Sequence, residues 1–137
     1  RMDNLQAVIL NYRLKKLDEI IDRRRQNAQS YLEYIETDEV FIPLEKEYEF
    51  NTYHTFVIQL KKRNELKEFL LKQGIEAAIH YPTPIHLQPA AKRLGYKLGD
   101  FPIAEKQAGM ILTLPVNQSL GQSEIERICV AVNEYYS

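Results

Sequence analysis

The sequence predicts an α+β domain, with a small antiparallel or mixed sheet of about three to four strands carrying helices on it and a long helix in front. Three observations lead there. A chain of 137 residues that is 45% hydrophobic and 27% charged is large and apolar enough to bury one core rather than stay disordered. Up to about residue 36, apolar side chains recur at helical spacing. Beyond that, short β-branched and aromatic runs alternate with helical patterns, bounded by glycine or proline.

In the leading segment, Leu5, Val8, Ile9, Tyr12, Leu17, Ile20, Ile21, Ala28, Tyr31, Leu32 and Ile35 mark one long amphipathic helix, or two in succession. It starts without an evident cap, and the chain opens on Arg1, so a longer parent polypeptide is expected. Arg23, Arg24 and Arg25 point in three directions on a helix, and are expected on a solvated face paired with Asp18, Glu19 or Asp22. Residues 40–43 read as a short strand, 44–51 as an acidic loop and 53–60 as the best strand, with His54 near its start as a structural rather than catalytic group. Asn64 is the expected N-cap of a helix stopped by Gly74, and residues 75–80 form the next strand. Residues 88–94 read as a helical turn or two. Pro102 opens a helix with Glu105 near its positive end, and 111–115 is the last strand. Ser123 and Glu126 form the expected capping box of a terminal helix, whose inner face carries Ile125, Ile128, Val132 and Tyr135 with Cys129 packed beside them.

Composition excludes several function classes. Eighteen basic and nineteen acidic side chains leave a net charge of -1, so no excess positive field favours nucleic acid. No apolar run is long enough for a membrane span. The single cysteine rules out an intramolecular disulfide and a cysteine zinc cluster, and is compatible with a cytoplasmic location. None of the serines sits in a nucleophile elbow, and the five glycines form no phosphate cradle. His80 and His86 lack both helical pair spacing and a third ligand, so no metal site is expected.

What remains is residues 79–89, Ile-His-Tyr-Pro-Thr-Pro-Ile-His-Leu-Gln-Pro, holding two of the three histidines and three of the six prolines. Pro82 and Pro84 lack an N–H and fix φ, so neither sheet nor helix continues. The result is a stiff loop at a strand end, presenting His80, Tyr81, His86 and Gln88 to a ligand.

That loop, with Arg1-Met2-Asp3-Asn4-Leu5, Tyr53-His54-Thr55-Phe56, Leu94-Gly95-Tyr96, Gly99-Asp100-Phe101-Pro102 and Leu112-Thr113-Leu114-Pro115 in order, resembles the C-terminal part of the DegT/StrS group of sugar-nucleotide aminotransferases. The resemblance covers essentially the whole chain. It implies the small domain of the aspartate-aminotransferase fold, with 1–36 as connecting helices and 37–137 as the α+β core. It also implies a cytoplasmic pyridoxal-phosphate enzyme, a homodimer with its active site at the interface, that moves an amino group from glutamate to a keto sugar nucleotide in amino-sugar biosynthesis. The His-Tyr-Pro form of the loop is more similar to members acting on 3-keto than on 4-keto sugars.

The same resemblance assigns residues. The Schiff-base lysine would lie upstream, so no catalytic residue is expected within this chain and the piece alone should be inactive. Arg1 matches an arginine that reaches into the neighbouring subunit's active site, where its fork suits phosphate or carboxylate. His80 and Tyr81 match the lining of the sugar-nucleotide pocket, and His86 and Gln88 would brace the loop. The competing expectation is a non-catalytic sugar-nucleotide-binding or regulatory module of the same shape.

Overall fold

The computed structural model describes residues 2–137. Asp3 caps the first helix, α1 (Asn4–Leu14): its carboxylate accepts the Leu5 N–H at 3.1 Å, and the Gln6 side chain accepts the Asp3 N–H in return. The uncapped start expected from sequence is thereby corrected. After Lys15 and Lys16 a second helix begins, α2 (Leu17–Tyr34), so the leading pattern is two helices. No residue of α1 is buried, whereas α2 buries Ala28 and Tyr31.

Two strands form the sheet. β1 (Phe56–Gln59) pairs antiparallel with β2 (Ile111–Leu114), in the register Phe56 to Leu114 and Ile58 to Leu112. Alternation sends those four apolar side chains to one face, where α2, α3 (Arg63–Lys72) and α5 (Gln122–Tyr136) cover them. The expected strands at 40–43 and 75–80 are present only as single antiparallel bridges, Phe41 to Gln59 and Ala78 to Thr113. Pro43 and Pro82 lack the N–H that a longer ladder would need, which leaves two strands rather than three or four.

Capping decides the helix ends. Asn64 is inside the first turn of α3 and does not cap it; Lys62 holds that position without a side-chain bond. At the other end Gly74 takes φ +74, the Ile75 N–H reaches Leu70 O at 2.8 Å and the Gly74 N–H reaches Leu71 O at 2.9 Å. That double closure needs a left-handed residue, so Gly74 stops the helix as expected. The box at α5 sits two residues earlier than expected: Glu124, not Glu126, reaches back, and it accepts the Gly121 N–H at 2.8 Å. Ser123 is therefore inside the helix.

Two arginines of the triplet, Arg24 and Arg25, form a tether rather than a solvated face, while Arg23 is exposed as expected. Arg25 forks onto Glu45 at 2.9 and 2.8 Å, donates to Asn51 O at 2.6 Å and lies over the Phe50 ring. Arg24 donates to the carbonyls of Tyr53 and His54 and to Gln118 Oε1. Both side chains pin the 44–54 loop to α2, because that loop offers the acceptors that Asp18, Glu19 and Asp22 were expected to supply. The Arg25 hydrogen bonds and the Asn51 N–H hold the Glu45 carboxyl down at about 2, against its ordinary 4.5. A depressed folded value means the contact stabilises the fold fully above about pH 4.5 and is lost as pH falls toward 2. In acid unfolding followed by circular dichroism, Glu45→Gln should therefore be less stable than wild type at neutral pH and match it near pH 2. A gap that persists at pH 2 would contradict the tether.

Among the described residues, no helix is long and apolar enough to cross a membrane, and no cluster of three His, Cys, Asp or Glu side chains could hold a metal ion.

Candidate functional site

The open end of the sheet positions the loop. Ala78 exchanges both backbone hydrogen bonds with Thr113 of β2, at 3.0 and 2.7 Å, which fixes where the extended run 75–79 stops. Two residues on, His80 Nδ1 lies 3.0 Å from the buried Thr113 hydroxyl. One ring nitrogen is thus committed to the protein, while His80 as a residue stays exposed. Tyr81 follows through a cis peptide, sets its ring edge-on to His80 at 5.3 Å and is 69% exposed. The loop then closes in two 3-10 turns, Ile85–Leu87 and Pro89–Leu94, ended by Gly95 at φ +77.

Glu105 is the hub that folds this loop onto α4 (Pro102–Met110). Its carboxylate accepts the Gly99 N–H at 2.9 and 3.0 Å, the Phe101 N–H at 3.3 Å and the His86 ring at 2.9 Å. Burial pushes its carboxyl up, but the Gly99 N–H, His86 and the Phe101 N–H outweigh this and hold it below the ordinary value. His86 also packs on Phe101, ring centroids 4.7 Å apart. Gln88 donates to Thr83 O at 3.4 Å, a contact within the loop itself.

Between the loop and α4 lies a cavity of about 540 Å³, in the size range of small-molecule sites. Tyr81 stands at it, and Ile85, Leu94, Tyr96, Phe101 and Ile111 form much of its wall. Ile111 reaches it because β2 turns Leu112 and Leu114 to the core and Ile111 to the opposite face.

The chain has relatives among known proteins. The family model described as the DegT/DnrJ/EryC1/StrS aminotransferase family matches residues 1–133. The chain belongs to that family. A Geobacillus stearothermophilus protein named "Pleiotropic regulatory protein" is 37% identical over 99% of this chain and 37% of its own length. The "dTDP-3-amino-3,6-dideoxy-alpha-D-galactopyranose transaminase" of Aneurinibacillus thermoaerophilus is 36% identical over 98% of this chain and 37% of its own. Among solved structures, S. venezuelae DesV in complex with a ketimine intermediate superposes with a TM-score of 0.94 at 32% identity, over 98% of this chain and 37% of that one. The chain therefore spans a little over a third of the relatives it matches, and carries the aminotransferase fold of that part.

Family membership implies pyridoxal phosphate, so the cavity can be tested for it. Among the described residues, no lysine or arginine lines the cavity, so it offers neither an amine for an imine nor a cation for the cofactor phosphate. These walls do not suit that cofactor by themselves.

As to the residues expected from sequence, Tyr81, His86 and Gln88 line one cavity, whereas His80, on the same loop, is held by Thr113 and does not line it. Arg1 lies outside the described residues. His54 is at the opposite end of the sheet from His80, held by Arg24. The buried Cys129 thiol is pushed up to about 12 by burial, which keeps it protonated and inert. Three participants escaped sequence reading. Thr113 was a strand residue with no visible partner, and Tyr96 and Phe101 were loop aromatics with no periodicity. Glu105 was legible only as a favourable charge in a first helical turn.

Proposed function

We propose that this chain is the C-terminal small domain of a pyridoxal-phosphate aminotransferase that passes an amino group from glutamate to a keto sugar nucleotide. Residues 1–36 would be the connecting helices and 37–137 the core. The observation that carries this reading is the pairing of family membership with two exposed neighbours, His80 anchored through Nδ1 and Tyr81 lining a ligand-sized cavity. An imidazole and a phenol so held can hydrogen-bond sugar hydroxyls or phosphate oxygens with little ordering cost on binding. His86 and Gln88 brace the loop through Glu105 and Thr83 O.

Pyridoxal phosphate, when bound, supplies the electron sink for the transfer, and the lysine and phosphate site belong with residues beyond this chain. The described residues contribute the sugar side. Dimerisation, with Arg1 reaching the neighbouring active site, and action in the cytoplasm are part of the same reading. A 3-keto acceptor is preferred over a 4-keto one. The His-Tyr-Pro loop and a 36%-identical relative named for a 3-amino sugar support that preference.

The test is an assay of the full-length protein with glutamate and a panel of keto sugar nucleotides, following 2-oxoglutarate and the amino sugar by mass. Turnover should favour 3-keto substrates; equal or better use of the 4-keto isomers removes the preference. His80→Ala should raise KM for the sugar nucleotide by the worth of one hydrogen bond, about 0.5–1.5 kcal/mol, and leave KM for glutamate alone.

A second reading, a regulatory module of the same shape, is favoured by the name of the G. stearothermophilus relative. Sugar-nucleotide binding without amino transfer to any acceptor would select it.

A further inference from the structure

Thr113 is the one polar side chain that the two strands bury. Leu112 and Leu114 on either side of it face the core, so alternation turns Thr113 to the other face of β2. The extended run 75–79 lies alongside, joined by the paired backbone bonds of Ala78 and Thr113, and leads directly into His80. Among the described residues, the Thr113 hydroxyl has one hydrogen-bond partner, His80 Nδ1 at 3.0 Å, and the His80 ring has no other. Tyr81 sets its ring edge-on to the imidazole at 5.3 Å, so the ring is held by two neighbours while the residue stays exposed. Valine would suit a buried strand position as well, and a buried hydroxyl costs stability unless it is bonded. The imidazole is the group that satisfies it.

We infer that Thr113 is a positioning residue that fixes the tautomer of His80, so that the imidazole meets its ligand as a hydrogen-bond donor through Nε2. The inference rests on the sugar-nucleotide reading above and deepens it: the ligand atom at His80 is an acceptor oxygen, of a hydroxyl, carbonyl or phosphate, and not an ammonium group. The hydroxyl proton decides the direction. A neutral imidazole carries one N–H, at Nδ1 or at Nε2. With the proton at Nδ1 the ring would donate to the Thr113 oxygen, and the buried hydroxyl proton would have no acceptor among the described residues. A buried donor left unmade costs more than a hydroxyl oxygen with a spare lone pair. With the hydroxyl donating to Nδ1 that proton is satisfied, and the ring N–H stands at Nε2. The lone pair of the ring is then spent on Thr113, so His80 orients a ligand and takes no proton from it. The donor is set before the ligand arrives, which lowers the ordering cost of binding.

The experiment uses the full-length protein with nitrogen-labelled histidines, at about pH 8.5, above the range where histidines ordinarily titrate. Two-bond nitrogen–proton correlation reads the tautomer, and His80→Ala identifies the His80 signals by their loss. His80 should be in the Nε2–H form alone; the Nδ1–H form overturns the inference. Thr113→Ser should keep that form. Thr113→Val, close in shape and suited to a strand, should relax it to the mixture of an unconstrained imidazole, and a spectrum like that of wild type overturns the role given to Thr113. Adding a dTDP-linked or UDP-linked 3-keto hexose should shift the Nε2 signal and leave the tautomer as it was. A change to Nδ1–H on binding overturns the donor assignment. By calorimetry, Thr113→Val should weaken binding of that probe about 3- to 10-fold, the worth of one hydrogen bond, and Thr113→Ser should restore it. In a His80→Ala background Thr113→Val should add nothing, whereas a threonine that only supports the strand gives the same loss with or without His80. If the tautomer responds as stated while neither His80→Ala nor Thr113→Val alters the affinity, the tautomer lock stands and the place of His80 in the sugar site falls.

Discussion

Replacing Tyr31 by alanine should cost about 3–5 kcal/mol of stability, the largest single loss expected in the domain. Its ring is fully buried and stacked on Phe56, centroids 4.7 Å apart, where α2 meets the sheet. Its hydroxyl donates to Pro115 O at 2.5 Å, just past the end of β2. Alanine would leave both a void and an unpaired carbonyl at the joint between the leading helices and the core. Tyr31→Phe keeps the ring and loses only the hydrogen bond, so about 1–3 kcal/mol is expected. Urea unfolding of the chain, compared at constant m-value, separates the two. An alanine variant within about 1 kcal/mol of wild type would show that α2 is dispensable to the core. Burial, with a smaller contribution from Cys129, pushes the phenol well above its ordinary 10. For an acid whose folded value is raised, stability is fully present below the unfolded value. Stability should therefore be lost as pH rises past about 10 in wild type, with that loss smaller in Tyr31→Phe.

Glu105→Ala should lower kcat/KM for the sugar nucleotide about 100-fold while sparing most of the fold's stability. That is the order of loss expected when a positioning group is removed and a site drifts by about an ångström. The carboxylate ties Gly99, Phe101 and His86 together on one side of the cavity, far from the core of Ile58, Leu112 and Ile125. Without it His86 loses its partner and the wall made by Tyr96 and Phe101 loses its anchor. Glu105→Gln keeps acceptor oxygen for the backbone N–H groups and should recover part of the loss, mainly in KM. A purely structural role predicts instead equal falls in stability and activity for both variants. Because the folded carboxyl is held below its ordinary 4.5, the anchor is complete above about pH 4.5 and is lost as pH falls further. Glu105→Gln should therefore show a weaker acid dependence of KM than wild type.

Legibility followed the range of the interactions. The helices, the two long strands and the stop at Gly74 were readable because their causes are local: apolar spacing, β-branched runs and a residue that tolerates positive φ. The caps were half-readable. Asp3 with Gln6 and Gly121 with Glu124 obey the same three-residue rule as the box that was expected at Ser123, and only packing selects which one forms. Arg25 departs from the solvated face expected of the triplet because it meets Glu45 and Asn51 across 20 and 26 residues of chain. Local charge on the helix was the nearer partner in sequence but not in space.

By itself, the sequence determined the element order, the stiff proline-braced loop, and, through ordered motifs, the family. These depend on backbone propensity and on residue identity, which one chain states outright. Only the tertiary structure decided that His80 spends Nδ1 on Thr113, that Glu105 gathers His86 and the Gly99 and Phe101 N–H groups, and that no lysine or arginine lines the wall beyond Tyr81 among the described residues. Each of those depends on which side chains meet across long stretches of chain. That is set by sheet register and core burial, and no local pattern encodes it.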